Sequence, residues 1–223
     1  MGVRILQETT LYPITLIGEL SGVCYGSDTS SAEKNFKRGL ENIKSGHGRT
    51  LELPQVYMVI DEYSARVMRE LYTHIAGAPT RLQASTRYIN YEDLKVYAPD
   101  SIKKDEKLIE LYVSTIEEIQ DCYKKLLEAG IPKEDAANIL PLGMSSKMVF
   151  RTNLRQLIDM SHQRLCTRAY VEFRELMQEM MEKLSAYSEE WKWLVDTYFK
   201  PKCEVYGYCT EAHGCGRKEY KEV

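Results

Sequence analysis

Residues Asp105 to Ala129 constrain the chain most. Within them Leu108, Leu111, Ile116, Ile119, Cys122 and Leu126 recur near a period of 3.6. That periodicity predicts a long amphipathic helix, which needs an apolar partner surface. Gly130 is placed to cap its C-terminus, and Pro132 to start another short helix. Other segments are read in the same way. Residues 12–19 (YPITLIGE) are rich in strand-favouring types, residues 32–44 in helix formers, and Leu53 to Ile60 reads as a buried strand opened by proline. A helix is expected from Glu62 to about His74, with Gly77 and Pro79 ending it. Ser145 and Ser146 are expected to cap a long helix reaching about Ser185. The fold class that follows is α+β: one helix-rich domain around a small, mostly antiparallel sheet, spanning residues 1–200, with a Cys-rich tail over 201–223.

Composition sets bounds on function. A chain of 223 residues with 43% hydrophobic and 28% charged residues has the balance of a globular domain. Its 30 basic and 33 acidic residues argue against a bulk nucleic-acid coat, while leaving room for a local basic nucleotide site. No apolar run approaches the ~18 residues of a membrane span, and the start MGVRILQETT has no apolar core of a signal peptide. Cys24, Cys122 and Cys166 are scattered singly, the pattern of thiols in a reducing compartment, so a cytoplasmic protein is expected. Cys203, Cys209, His213 and Cys215 could supply zinc ligands, but lack the C-x2-C spacing. A disulfide or free thiols are comparable readings, and no metal is expected. The chain also lacks G-x-x-x-x-G-K-[ST], G-x-G-x-x-G, H-E-x-x-H and G-x-S-x-G, which disfavours the enzyme classes built on them.

The segment after His74 is the most unusual. If the chain is extended beyond Pro79, Arg81, Gln83, Ser85 and Arg87 form a comb on one face. Two guanidiniums with a hydroxyl and an amide suit a phosphate; a solvated edge strand is the plainer reading. On the expected long helix, Met160, Arg164 and Val171 fall within about 20° of Asn153, putting Asn153 and Arg164 on one apolar stripe about 16 Å apart. A charge there calls for an anionic ligand or an internal carboxylate. His47 lies between glycines in a loop, where it could reach a ligand or simply stabilise the turn. His74 and His162 fall on expected helices, where histidine is usually structural.

The run PTRLQASTRYINY resembles the signature loop of flavin-dependent thymidylate synthases, whose hallmark ends in S-x-R-Y, here Ser85-Thr86-Arg87-Tyr88. Three further features follow in the family's order. His47 with Glu52 is similar to its H-x-[ST]-x-x-E segment, Ile139-Leu140-Pro141-Leu142 to its [VI]-L-P-L turn, and Asn153-x-Arg155 followed by Arg164 to its N-x-R-S-L…L-R helix. The likeness spans roughly residues 40–185.

The resemblance implies reductive methylation of dUMP to dTMP, with 5,10-methylenetetrahydrofolate as one-carbon donor and FAD reduced by NADPH. It implies a homotetramer with shared active sites, and a cofactor that carries most of the chemistry. It implies that Ser85 and Arg87 hold the dUMP phosphate and sugar, that Gln83 falls where an acidic residue contacts dUMP, and that Arg164 polarises the uracil. Arg81 joins this substrate set from the comb, and Ser85 and Arg164 are the catalytic candidates. Asn153 and His47 match flavin-contacting positions; Arg49, which replaces a hydroxyl residue, and His74 complete the cofactor set. The chain departs from the family where the R-H-R triplet is replaced by residues 71–77, and where Ala137 and Asn138 stand in place of an arginine. These departures keep open C5 alkylation of another nucleotide such as UMP, or a non-catalytic nucleotide-binding protein.

Overall fold

A computed structural model describes residues 2–222; Met1 and Val223, the outer ends of the two expected segments, lie outside the described residues. In chain order the elements are β1 (Gly2–Ile5), α1 (Pro13–Cys24), α2 (Ala32–Lys44), a 3-10 turn (Gly48–Glu52), β2 (Gln55–Ser64), α3 (Ala65–Leu71) and β3 (Thr80–Gln83). There follow α4 (Asp100–Lys103), α5 (Glu106–Glu128), α6 (Lys133–Ala136), a second 3-10 turn (Ala137–Ile139), β4 (Ser145–Asn153), α7 (Leu154–Arg164), α8 (Val171–Tyr187), α9 (Glu189–Tyr198) and α10 (Lys202–Tyr206). The strands form one small antiparallel sheet in the order β1-β2-β4-β3, so the α+β reading holds. The chain divides into two compact units. One comprises Ile60–Thr73 and Leu82–Met148; the other comprises Gly2–Val59, His74–Arg81 and residues 149–222.

The first unit is organised by α5. Asp105 caps it, its carboxylate accepting the N–H groups of Lys107 and Leu108. Only the C-terminal half of the expected stripe packs inward. Ile116, Ile119 and Leu126 lie on a core of Tyr91, Leu94, Tyr123, Ala136 and Met144, whereas Leu108 and Leu111 are exposed. The helix expected to reach His74 is shorter. β2 runs on to Ser64, whose hydroxyl accepts the Val67 N–H and starts α3, which ends at Leu71.

In the second unit, the expected strand over 12–19 is instead the start of α1. Pro13 occupies a first-turn position, and Ile14 and Ile17 are fully buried. Two tertiary features override the β-rich composition. A Cβ on Gly18 would collide with the Asn35 carbonyl of α2, and one on Gly39 with the Ile14 carbonyl, so the two helices meet backbone to backbone. The carboxylate of Glu190, on α9, accepts the N–H groups of Ile14 (2.6 Å) and Thr15 (3.0 Å) and the Thr15 hydroxyl, capping α1 from 175 residues away. Glu179 on α8 likewise accepts the Val3 N–H of β1 at 2.9 Å.

The long helix expected from Ser145 to Ser185 is three elements. Residues 145–152 alternate in burial, with Ser146, Met148, Phe150 and Thr152 inside, which is the period of a strand. Asn153 then caps α7 by accepting the Gln156 N–H at 2.9 Å, and residues 165–170 separate α7 from α8. Asn153 is therefore the cap of α7, which ends at Arg164, and Val171 lies on a separate helix.

Candidate functional site

In the second unit, His74 gathers two guanidiniums. It lies beyond α3, not on it, and is 7% exposed. Its carbonyl accepts a hydrogen bond from Arg81, on β3. Its ring Nε2 accepts from Nε of Arg164, the last residue of α7, at 2.8 Å. The Arg164 guanidinium lies over the Phe173 ring at 4.5 Å, Arg81 over Phe150 at 5.8 Å, and the His74 and Phe173 rings are 5.8 Å apart. Burial, then the charges of Arg164 and Arg81, lower the His74 pKa from 6.5 to about 4. At neutral pH the imidazole is uncharged with its proton on Nδ1, because Nε2 is an acceptor. A neutral acceptor orients a guanidinium without cancelling its charge. The cluster thus suits an anionic or carbonyl-rich ligand.

The loop that follows His74 runs against Asn153. Gly77 has φ +69°, and a Cβ there would collide with Asn153 Nδ2. Arg151 ties this loop down, donating to the Ala78 carbonyl, Thr80 Oγ1 and Gln55 Oε1, each at 3.1 Å. Beside Asn153 in sequence, Thr152 Oγ1 and Gln156 Oε1 are buried with no hydrogen-bond partner among the described residues. Arg155 pairs with Glu52 at 2.7 Å, joining α7 to the 3-10 turn that begins after His47. The His47 and Arg49 side chains are both exposed.

The first unit holds the rest of the expected comb, in a different form. β3 ends at Gln83. Arg81 and Gln83 are both half-buried and alternate with exposed Thr80 and Leu82, as expected for one face. Ser85 and Arg87 do not continue that face, because the chain turns: the N–H groups of Tyr88 and Ile89 bond back to the Ser85 carbonyl. Gln83 Nε2 donates to Ser146 Oγ at 3.3 Å, and Ser85 Oγ accepts the Arg87 N–H at 3.2 Å. Arg87 Nε donates to Glu134 Oε2 at 2.7 Å, its guanidinium lies 5.7 Å from the Tyr88 ring centre, and Lys133 Nζ donates to the Tyr88 carbonyl at 3.3 Å.

Sequence reasoning missed Phe150 and Phe173 as platforms, Arg151 as a loop tether and Glu134 as a partner of Arg87. The alternation in SSKMVFRTN could have revealed Phe150; nothing local signals the other three. In the tail, Cys203, Cys209 and Cys215 are free thiols, and among the described residues no group of three His, Cys, Asp or Glu side chains is arranged to hold a metal. No helix of the described residues is long and apolar enough to cross a membrane.

Residues 6–188 match the family model of the thymidylate synthase complementing protein. The chain is 31% identical to a flavin-dependent thymidylate synthase of Pyrococcus furiosus, covering 97% of this chain and 94% of that one. It is 25% identical to one of Clostridium tetani, covering 100% and 97%. The crystal structure of a flavin-dependent thymidylate synthase of Helicobacter pylori, complexed with FAD and dUMP, matches with a TM-score of 0.70 at 20% identity, over 90% of this chain and all of that one; this likeness is one of fold.

Proposed function

The chain belongs to the thymidylate synthase complementing protein family of flavin-dependent thymidylate synthases, and on that premise we propose that it methylates dUMP reductively to dTMP, with 5,10-methylenetetrahydrofolate as one-carbon donor and NADPH as reductant. The observation that carries this reading is the Arg164–His74 pair over Phe173. Arg164 is fixed at two points, by the 2.8 Å bond to His74 and by the ring beneath it. A guanidinium held so rigidly can face a uracil carbonyl and stabilise the negative charge that develops there as the ring reacts. His74, kept neutral by its surroundings, adds no third cation and serves as the acceptor that sets the Arg164 plane.

The remaining roles divide by chemistry. Ser85 and Arg87 would take the nucleotide's phosphate and sugar, with Arg81 and Gln83 completing the substrate set. FAD, when bound and reduced by NADPH, would supply the reducing equivalents that turn a methylene into a methyl group. The chemistry of the residues present fits such a group: among the described residues two buried polar atoms close to Asn153 in sequence, Thr152 Oγ1 and Gln156 Oε1, have no hydrogen-bond partner, and the His47 and Arg49 side chains are exposed. Asn153, His47, Arg49 and His74 would hold it. The resemblance extends the reading to a homotetramer whose sites draw on several subunits, so one chain need not bring every group to one place. The scattered single cysteines support a cytoplasmic enzyme, and the sequence pattern a catalytic domain over 1–200 with a Cys-rich tail over 201–223.

The test is tritium release from dUMP labelled at C5. Release that requires FAD, NADPH and methylenetetrahydrofolate together is the expected result. Flavin binding without release would refute this substrate assignment.

A further inference from the structure

We propose that Lys133 and Glu134 form a brace on the 85–88 turn: Glu134 is a positioning residue for Arg87, and Lys133 supplies a second cation to the same phosphate. This rests on Arg87 being the phosphate-binding residue of the preceding section. The 85–88 turn has a second cation beside it. Lys133, the first residue of α6, reaches the Tyr88 carbonyl with Nζ, one residue beyond Arg87. An ammonium has three donors, and this bond uses one of them.

The neighbouring residue acts on Arg87 itself. Glu134 Oε2 accepts from Arg87 Nε at 2.7 Å, and no other hydrogen bond of the guanidinium is made among the described residues. The terminal amino groups, which make the fork that grips a phosphate through two parallel bonds, remain available. A carboxylate competing with phosphate would instead sit on those terminal groups. Bonding at Nε with the side chain over the Tyr88 ring fixes the direction of the fork. Ser85 fits the same arrangement. Its Oγ accepts the Arg87 N–H, so its own proton is left to donate to an anion. One dipeptide therefore holds the turn at two consecutive residues, by the Arg87 side chain and the Tyr88 backbone.

The pair is solvent-exposed, with side chains 63% and 52% accessible, so its value to stability is small and its effect should appear in ligand affinity. The experiment is calorimetric binding of dUMP and of deoxyuridine, which lacks the phosphate, to the FAD-loaded protein. Glu134→Ala should raise the dUMP Kd about five- to tenfold. Glu134→Gln should stay within about twofold of the parent, because its amide oxygen still accepts the Nε–H. Lys133→Ala should weaken dUMP about fivefold, with Lys133→Arg restoring it. Deoxyuridine binding should not change in any of these variants. In an Arg87→Ala background, Glu134→Ala should add nothing further. Tighter dUMP binding by E134A, equal losses in E134A and E134Q, or a loss that persists without Arg87 would each overturn the brace. An unchanged dUMP Kd in Arg87→Ala alone would instead refute the assignment of Arg87 to the phosphate.

Discussion

Acid should destabilise this protein through His74, and the size of the effect can be worked from its surroundings. The imidazole titrates at about 4 in the folded chain against an ordinary value of 6.5, owing to burial first, then to Arg164 and Arg81. Between those two values the unfolded chain binds more protons than the folded one, so stability falls as the pH drops through the window. At pH 5 the unfolded imidazole is almost fully protonated and the folded one almost fully neutral. The linkage then amounts to about 2 kcal/mol, and near pH 7.5 it vanishes. Urea unfolding at pH 7.5 and pH 5, on the parent and on His74→Gln, isolates it. The Gln variant keeps an uncharged acceptor for Arg164 and has no titration, so it should lose about 2 kcal/mol less on acidification. His162, whose pKa burial also lowers, is common to both proteins and cancels. A nitrogen-resolved titration of the His74 ring gives an independent check, and Arg164→Ala should move its midpoint upward. Equal acid sensitivity in parent and variant would refute a neutral His74 held between two cations.

Other outcomes follow from the same geometry. Arg164→Ala should lower kcat by more than it raises KM, because its charge acts on the reacting base; a change confined to KM would remove that role. Gly18→Ala should cost about 3 kcal/mol or more, since its methyl would overlap the Asn35 carbonyl backbone atom of α2; a midpoint of thermal unfolding near the parent's would refute the close approach. Glu190→Ala should cost about 2–3 kcal/mol by leaving two N–H groups at the buried start of α1 unpaired, with Glu190→Gln losing less, both measured by urea unfolding.

Much of the local structure was legible where the residue pattern and the burial agree. α2 and α5 lie within a residue of their expected limits, and β2 contains residues 55–60 of the strand expected over 53–60, starting two residues later and running on to Ser64. Legibility failed where a distant contact decides. Strand-favouring residues form α1 because α2 offers a glycine-lined groove and Glu190 a carboxylate, neither visible within 12–19. A mistake of period merged β4, α7 and α8, since Ser145 and Ser146 invite a cap and the alternation from Ser146 to Thr152 is only four buried positions long. For the candidate site, the residue types were readable from the resemblance. Their partners were not, because His74, Arg164 and Phe173 come together through tertiary packing, and Glu134 meets Arg87 across 47 positions.

The carboxylate of Glu190 also orders events during synthesis. α1 and α2 are made early, yet the group that closes the first turn of α1 follows Ile14 by 176 residues, and Glu179, which fixes β1, follows Val3 by 176. Loop closure over such separations is slow. The early helical pair must therefore wait as an incompletely satisfied intermediate, open to chaperones and proteases, until the C-terminal helices arrive. A chain stalled or cut before residue 190 would leave the Ile14 and Thr15 N–H groups of α1 without this acceptor.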